Sequence, residues 1–202
     1  MRHLWRASAL AVLVGACLVL GGCTLFPTAP SSSTTTSGTS TKKDPPPLAT
    51  IAPDGTMDFT PAPVETLPDD TTHVMRAAGL KTSEYVDGAV GGRVRAGRFS
   101  LEIPPGAFQG QGLVTLSMPD STLMVCDLSI QPMALNHFDV PVRLTADLSA
   151  PGMNDASDCT NYWYDPTRMD WVSLRTNSQC SGTLITTTLE HFSRYGSGKA
   201  GW

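Results

Sequence analysis

From about Thr82 to Trp202 the chain is a succession of short β-prone runs, each closed by turn residues, and this spacing restricts the fold more than any other feature. The runs that read as strands are Glu84–Val86, Gly92–Arg95, Phe99–Ile103, Gly112–Met118, Cys126–Gln131, Val142–Leu148, Asn161–Tyr164, Trp171–Arg175, Thr183–Leu189 and Phe192–Tyr195. Between them stand Asp87-Gly88, Pro105-Gly106, Pro119-Asp120, Pro151-Gly152, Asp165-Pro166 and Ser181-Gly182. Glycine supplies backbone angles closed to other residues and proline presets a bend, so such pairs end a strand and turn the chain. Many short strands with Gly/Pro punctuation predict an all-β domain, an antiparallel β-sandwich over residues 82–202. Helical periodicity goes no further than a short turn at His73–Leu80.

Upstream the composition is different. Between Thr24 and Lys81 fall Pro27, Pro30, Pro45, Pro46, Pro47, Pro53, Pro61, Pro63 and Pro68, together with the tract Ser31–Ser37. Such a segment buries too little apolar surface to offset the entropy of ordering it, so residues 23–81 read as a disordered linker. Further upstream, Arg2 and Arg6 precede the apolar run Leu10–Leu20, and small residues follow at Gly21 and Gly22. Charge, a short apolar core and small residues at the cut make residues 1–22 a signal peptide. The run is shorter than the ~20 residues a membrane span needs.

Leu20-Gly21-Gly22-Cys23 resembles the bacterial lipobox. The resemblance implies cleavage before Cys23 and acylation of its thiol, and often of the new amine. The chain is then exported and lipid-anchored to a bacterial membrane, facing the periplasm or the cell exterior. One acyl chain holds only marginally, whereas two or three anchor stably. The precursor carries 14 basic and 18 acidic residues, a net charge of −4. Loss of Arg2 and Arg6 with the signal leaves 12 against 18, or −6. Nucleic acid requires a basic face, so this charge excludes it as a partner.

Of the five cysteines, Cys17 leaves with the signal and Cys23 takes the lipid, which leaves Cys126, Cys159 and Cys180. An odd number leaves one thiol unpaired or used between molecules. Cys159 and Cys180 flank the hairpin expected from Asn161–Tyr164 and Trp171–Arg175, which makes them the disulfide candidate; pairing of either with Cys126 stays open. There is no CxxC, and His3, His73, His137 and His191 show no metal-ligand spacing, so no metal or cofactor is expected.

Two further resemblances concern the β-rich region. Gly91-Gly92-Arg93-Val94, followed by Phe99-Ser100-Leu101-Glu102-Ile103-Pro104-Pro105-Gly106-Ala107-Phe108, is similar to the opening of a ZU-five domain. Leu128–Pro132 and Phe138–Leu144 resemble that family's second half. The likeness covers roughly residues 84–202 and implies a ZU-five-like sandwich. Near its end, Glu190-His191-Phe192-Ser193 is similar to the self-cleavage site of related modules in the death-domain protein PIDD, in inflammasome FIIND domains and in a nucleoporin. There Ser193 would attack the Phe192 carbonyl, with His191 as base. Plain strand alternation explains the same three residues without chemistry.

Tyr162, Trp163, Tyr164 and Trp171 concentrate aromatics on one hairpin. They form either an exposed platform for sugars or protein, or a packed pair of Trp residues with Tyr hydroxyls reaching the surface, the commoner fate. With no phosphate-cradling loop, nucleophile elbow or paired carboxylates, the expected function is a non-enzymatic binding or structural module of the cell envelope. Its expected partner is a protein or a glycan. Self-processing at Phe192–Ser193 and carbohydrate binding by the aromatic hairpin are the alternatives.

Overall fold

Strict alternation of buried and exposed residues builds two antiparallel sheets. In a computed structural model, which describes residues 44–61 and 78–201, all within the unit Lys42–Trp202, thirteen strands follow in order. They are β1 (Pro47–Ile51), β2 (Met57–Pro61), β3 (Leu80–Asp87), β4 (Gly92–Ala96), β5 (Phe99–Ile103), β6 (Gln111–Met118) and β7 (Val125–Gln131). After a 3-10 turn at Met133–Leu135 come β8 (Val142–Asp147), β9 (Cys159–Asp165) and β10 (Asp170–Ser173). A second 3-10 turn at Arg175–Asn177 leads to β11 (Ser178–Ser181), β12 (Leu184–Leu189) and β13 (Arg194–Lys199). One sheet runs β10-β9-β13-β7-β6-β3 and is extended by β1 and β2; the other runs β11-β12-β8-β5-β4. The signal, the lipobox with Cys23 and most of the His73–Leu80 turn lie outside the described residues, and Leu80 itself opens β3.

Every second residue of β5, β6, β8 and β12 is buried, which is the period-two signature of a sheet with one face in the core. Phe99, Leu101, Leu144 and Ile185 of one sheet meet Val114, Leu116, Leu128 and Ile130 of the other in a single cluster. The two sheets and this shared core are an all-β sandwich, as the punctuation predicts.

The Gly91-Gly92 and Ile103–Gly106 runs meet physically. A Cβ on Gly91 would stand 2.3 Å from the Ile103 carbonyl oxygen, and Gly91 has φ +78°. The glycine is therefore required by close backbone approach between neighbouring strand ends.

The expected linker is interrupted. β1 and β2, from the Pro-rich segment, form an antiparallel hairpin, and β1 pairs with β13 at Leu48↔Gly198. Met124 N–H donates to the Ala49 carbonyl at 2.8 Å, and Ile51 N–H to the Thr122 carbonyl at 2.6 Å. Leu48 is fully buried with Val125 and Tyr162, beneath Leu123 and Trp171. The slot exists because β13 carries Gly196 and Gly198: a Cβ on Gly198 would stand 2.2 Å from the Pro47 carbonyl oxygen. Residues 47–51 and 57–61 of the expected linker are thus strands of the folded body. Residues 62–77 lie outside the described residues.

Two other boundaries shift. β11 is a polar edge strand with no hydrophobic alternation to announce it. The last expected strand, Phe192–Tyr195, starts only at Arg194, because Glu190–Ser193 carry the chain from one sheet to the other.

Candidate functional site

The crossing from β12 to β13 places the His-Phe-Ser triplet outside any strand and pins each of its carbonyls. The His191 carbonyl accepts the Tyr195 hydroxyl at 2.6 Å. The Phe192 carbonyl accepts Asn136 Nδ2 at 3.0 Å, and Phe192 N–H donates to Asn136 Oδ1 at 2.6 Å. The Ser193 carbonyl accepts Leu128 N–H at 2.9 Å. Asn136 follows the Met133–Leu135 turn, and its own N–H donates to the Met133 carbonyl at 3.0 Å. Nearby, Phe138 N–H donates to the Glu190 carbonyl at 3.1 Å, which ties the Asn136–Phe138 loop to the crossing.

The Phe192 ring is buried edge-on against Phe138, with centroids 4.6 Å apart. His191 and Ser193 are half-buried. The imidazole stands perpendicular to Trp163 at 5.2 Å, and the indole N–H of Trp163 is buried without an acceptor among the described residues. Among these residues no hydrogen bond joins the His191 ring to the Ser193 hydroxyl. Burial pushes the Tyr195 phenol well above its ordinary value, so it stays a donor to the His191 carbonyl. The resemblance points to His191, Phe192 and Ser193 alone, and Asn136, 56 positions from Phe192, is joined to them only by the fold.

The aromatic hairpin is partly packed: Tyr162 is buried, while Trp163, Tyr164 and Trp171 are half-buried. Tyr162 is buried and donates its hydroxyl to the Lys199 carbonyl. Trp163 packs against the main core, Trp171 against the Leu48 cluster, and Tyr164 stands edge-on to Trp171 at 5.4 Å. Leu48, from a strand of the expected linker, packs over Tyr162 and Trp171 of this hairpin, as the packed alternative requires of part of its surface.

Cys126, Cys159 and Cys180 are all free thiols, so the candidate Cys159–Cys180 bond is not formed here. The two are neighbours nonetheless: the Cys180 thiol donates to the Cys159 carbonyl at 3.6 Å, from the edge strand of one sheet to a strand of the other. Burial, then the hydrogen bond to Asp158, pushes the Cys159 thiol up to about 12. Burial, then the charge of Asp127, pushes the Cys126 thiol well above its usual value.

A buried polar network crosses between the sheets. Asn161 donates to Thr187 Oγ1 at 2.8 Å and accepts the Ser197 hydroxyl at 2.6 Å, and Thr187 shares a 2.7 Å bond with Ser178. On the outer face of the smaller sheet, an open hollow of about 420 Å³ is lined by Arg143, Thr176, Asn177, Gln179, Thr186 and Thr188. Every lining residue is polar, which suits a hydroxylated ligand better than an apolar one. Comparison with known protein families, with curated proteins and with solved structures finds no match.

Proposed function

We propose that this chain is a lipoprotein of the bacterial cell envelope, anchored by acylated Cys23 and presenting a non-enzymatic, ZU-five-like β-sandwich to a protein or glycan partner. One observation carries the reading: Leu20-Gly21-Gly22-Cys23 stands immediately after the charged and apolar halves of a signal peptide. The polar side chains around the hollow at Arg143 support a hydroxyl-rich ligand. Detergent phase partition and intact mass of the full-length chain test the anchor. Wild type is expected in the detergent phase with the mass of added acyl chains, and Cys23→Ser in the aqueous phase without it. Identical partition of the two overturns the reading.

An exported compartment is oxidising. There, exchange with a disulfide oxidant joins Cys180 to its neighbour Cys159 and leaves Cys126 a thiol. The oxidised chain is expected to lose the mass of two hydrogen atoms, and Cys159→Ser to lose nothing.

A second reading, self-processing at Phe192–Ser193, draws support from the position of that bond. It lies between sheets, and β13 beyond it is paired with β9 on one side and with β7 and β1 on the other. The fragment after the bond would stay seated as a strand. Denatured intact mass tests this: the wild-type chain is expected to lose the Ser193–Trp202 peptide and Ser193→Ala to keep it. A single full-length mass for both discards the reading.

A further inference from the structure

We propose that Asn136 is the oxyanion donor for the Phe192 carbonyl, an assignment that rests on the self-processing reading. The geometry leaves its amide one orientation. The backbone N–H of Phe192 can only donate, so the atom 2.6 Å from it is the side-chain oxygen. The Nδ2 group then faces the Phe192 carbonyl oxygen at 3.0 Å. One side chain therefore grips both polar groups of the residue whose carbonyl carbon would be attacked.

The neighbouring contacts make this grip rigid. The Phe192 ring is buried against Phe138, the His191 carbonyl takes the Tyr195 hydroxyl, and Leu128 N–H holds the Ser193 carbonyl. A donor already aimed at the oxygen costs no reorganisation when charge develops there, which is the condition for electrostatic catalysis.

The chemistry balances within the chain plus one water. Ser193 Oγ bonds to the Phe192 carbonyl carbon, and the carbonyl π electrons move to the oxygen facing Asn136 Nδ2. The C–N bond to Ser193 then breaks, its nitrogen takes the proton lost from Oγ, and an ester joins Phe192 to Ser193. Water adds to that ester, releasing the Phe192 carboxylate and restoring the Ser193 hydroxyl. Asn136 donates to the same oxygen through both steps.

The test follows purified chain beginning at Thr24, by denatured intact mass with and without hydroxylamine, which cleaves the ester but not the amide. Asn136→Asp keeps the acceptor for Phe192 N–H and replaces the donor by a carboxylate. Scission and hydroxylamine sensitivity are expected to fall by about 100-fold at neutral pH, the range seen on losing one oxyanion donor. Below the ordinary carboxylate range the protonated Asp donates again, so the ratio of wild-type to variant rate is expected to shrink towards one. A purely structural role would not produce that pH dependence, and urea midpoints of both proteins accompany the rates. Wild type that stays whole and insensitive to hydroxylamine removes the self-processing reading and this assignment together. Wild type that cuts while Asn136→Asp cuts as fast overturns the assignment alone. So does a deficit that stays constant with pH.

Discussion

Replacing Leu48 by alanine tests whether the hairpin from the Pro-rich segment belongs to the folded domain. Leu48 is fully buried among Val125, Tyr162, Leu123 and Trp171, and it lies over Gly196, where a Cβ would approach its Cδ1 to 3.1 Å. Gly196 has no side chain to relax into the space, and the flanking rings are held by Tyr162's bond to Lys199 and by the Tyr164–Trp171 contact. The site therefore collapses poorly, and the loss belongs near the middle of the Leu→Ala range, about 3 kcal/mol. With a urea slope of about 2 kcal/mol per molar, the unfolding midpoint falls by about 1.5 M. Melting falls by about 10 °C. The assay is urea unfolding of a soluble chain beginning at Thr24, followed by tryptophan fluorescence, with a second chain beginning at Gly79 that lacks the hairpin. The shorter chain is expected to be less stable than Leu48→Ala, because it also loses the Ala49 and Ile51 backbone bonds. A Leu48→Ala midpoint within a few tenths of a molar of wild type, or a short chain as stable as the long one, refutes the placement of β1 in the sheet.

Three further outcomes follow from the same physics. Gly198→Ala forces a Cβ to 2.2 Å from the Pro47 carbonyl oxygen and 2.9 Å from Leu48 Cα, so the hairpin must shift; Trp171 emission should move to the red, with no change in the β12–β8 pairing by hydrogen exchange. Asn161→Ala removes the hub of the buried network and leaves the Ser197 hydroxyl unpaired, at a cost of about 3 kcal/mol read from urea midpoints. The Cys159 thiol ordinarily ionises near 9.0 and in the fold at about 12; between those values the unfolded chain loses a proton that the folded chain keeps, so stability declines as pH rises. Cys159→Ala should flatten this decline, measured as midpoints at pH 8 and pH 10.5, and an unchanged slope would show that the thiol is not desolvated.

The strands with one face in the core were legible because burial writes a period of two into the chain. Phe99-Ser100-Leu101-Glu102-Ile103 and Leu113–Met118 state which residues face inward before any fold is known. The turn pairs state where each run stops. A resemblance to self-cleaving modules also singled out His191-Phe192-Ser193. The remaining features depend on contacts between residues distant in sequence. Pro47–Ile51 has the composition of a linker and becomes a strand because Gly196 and Gly198, near the other end of the chain, open a slot for Leu48. β11 is polar throughout and is a strand because β12 offers it an edge. Tyr162 and Trp171, on the face away from the main core, are covered because Leu48 of that same hairpin lies over them. Asn136 carries no signal of its own in its turn, and its partner is chosen when the chain crosses from one sheet to the other. Alternation and turn residues are properties of neighbours along the chain, so the sequence alone determined the sandwich. A slot or an amide clamp is a property of neighbours in space, so only the tertiary structure decided what fills them.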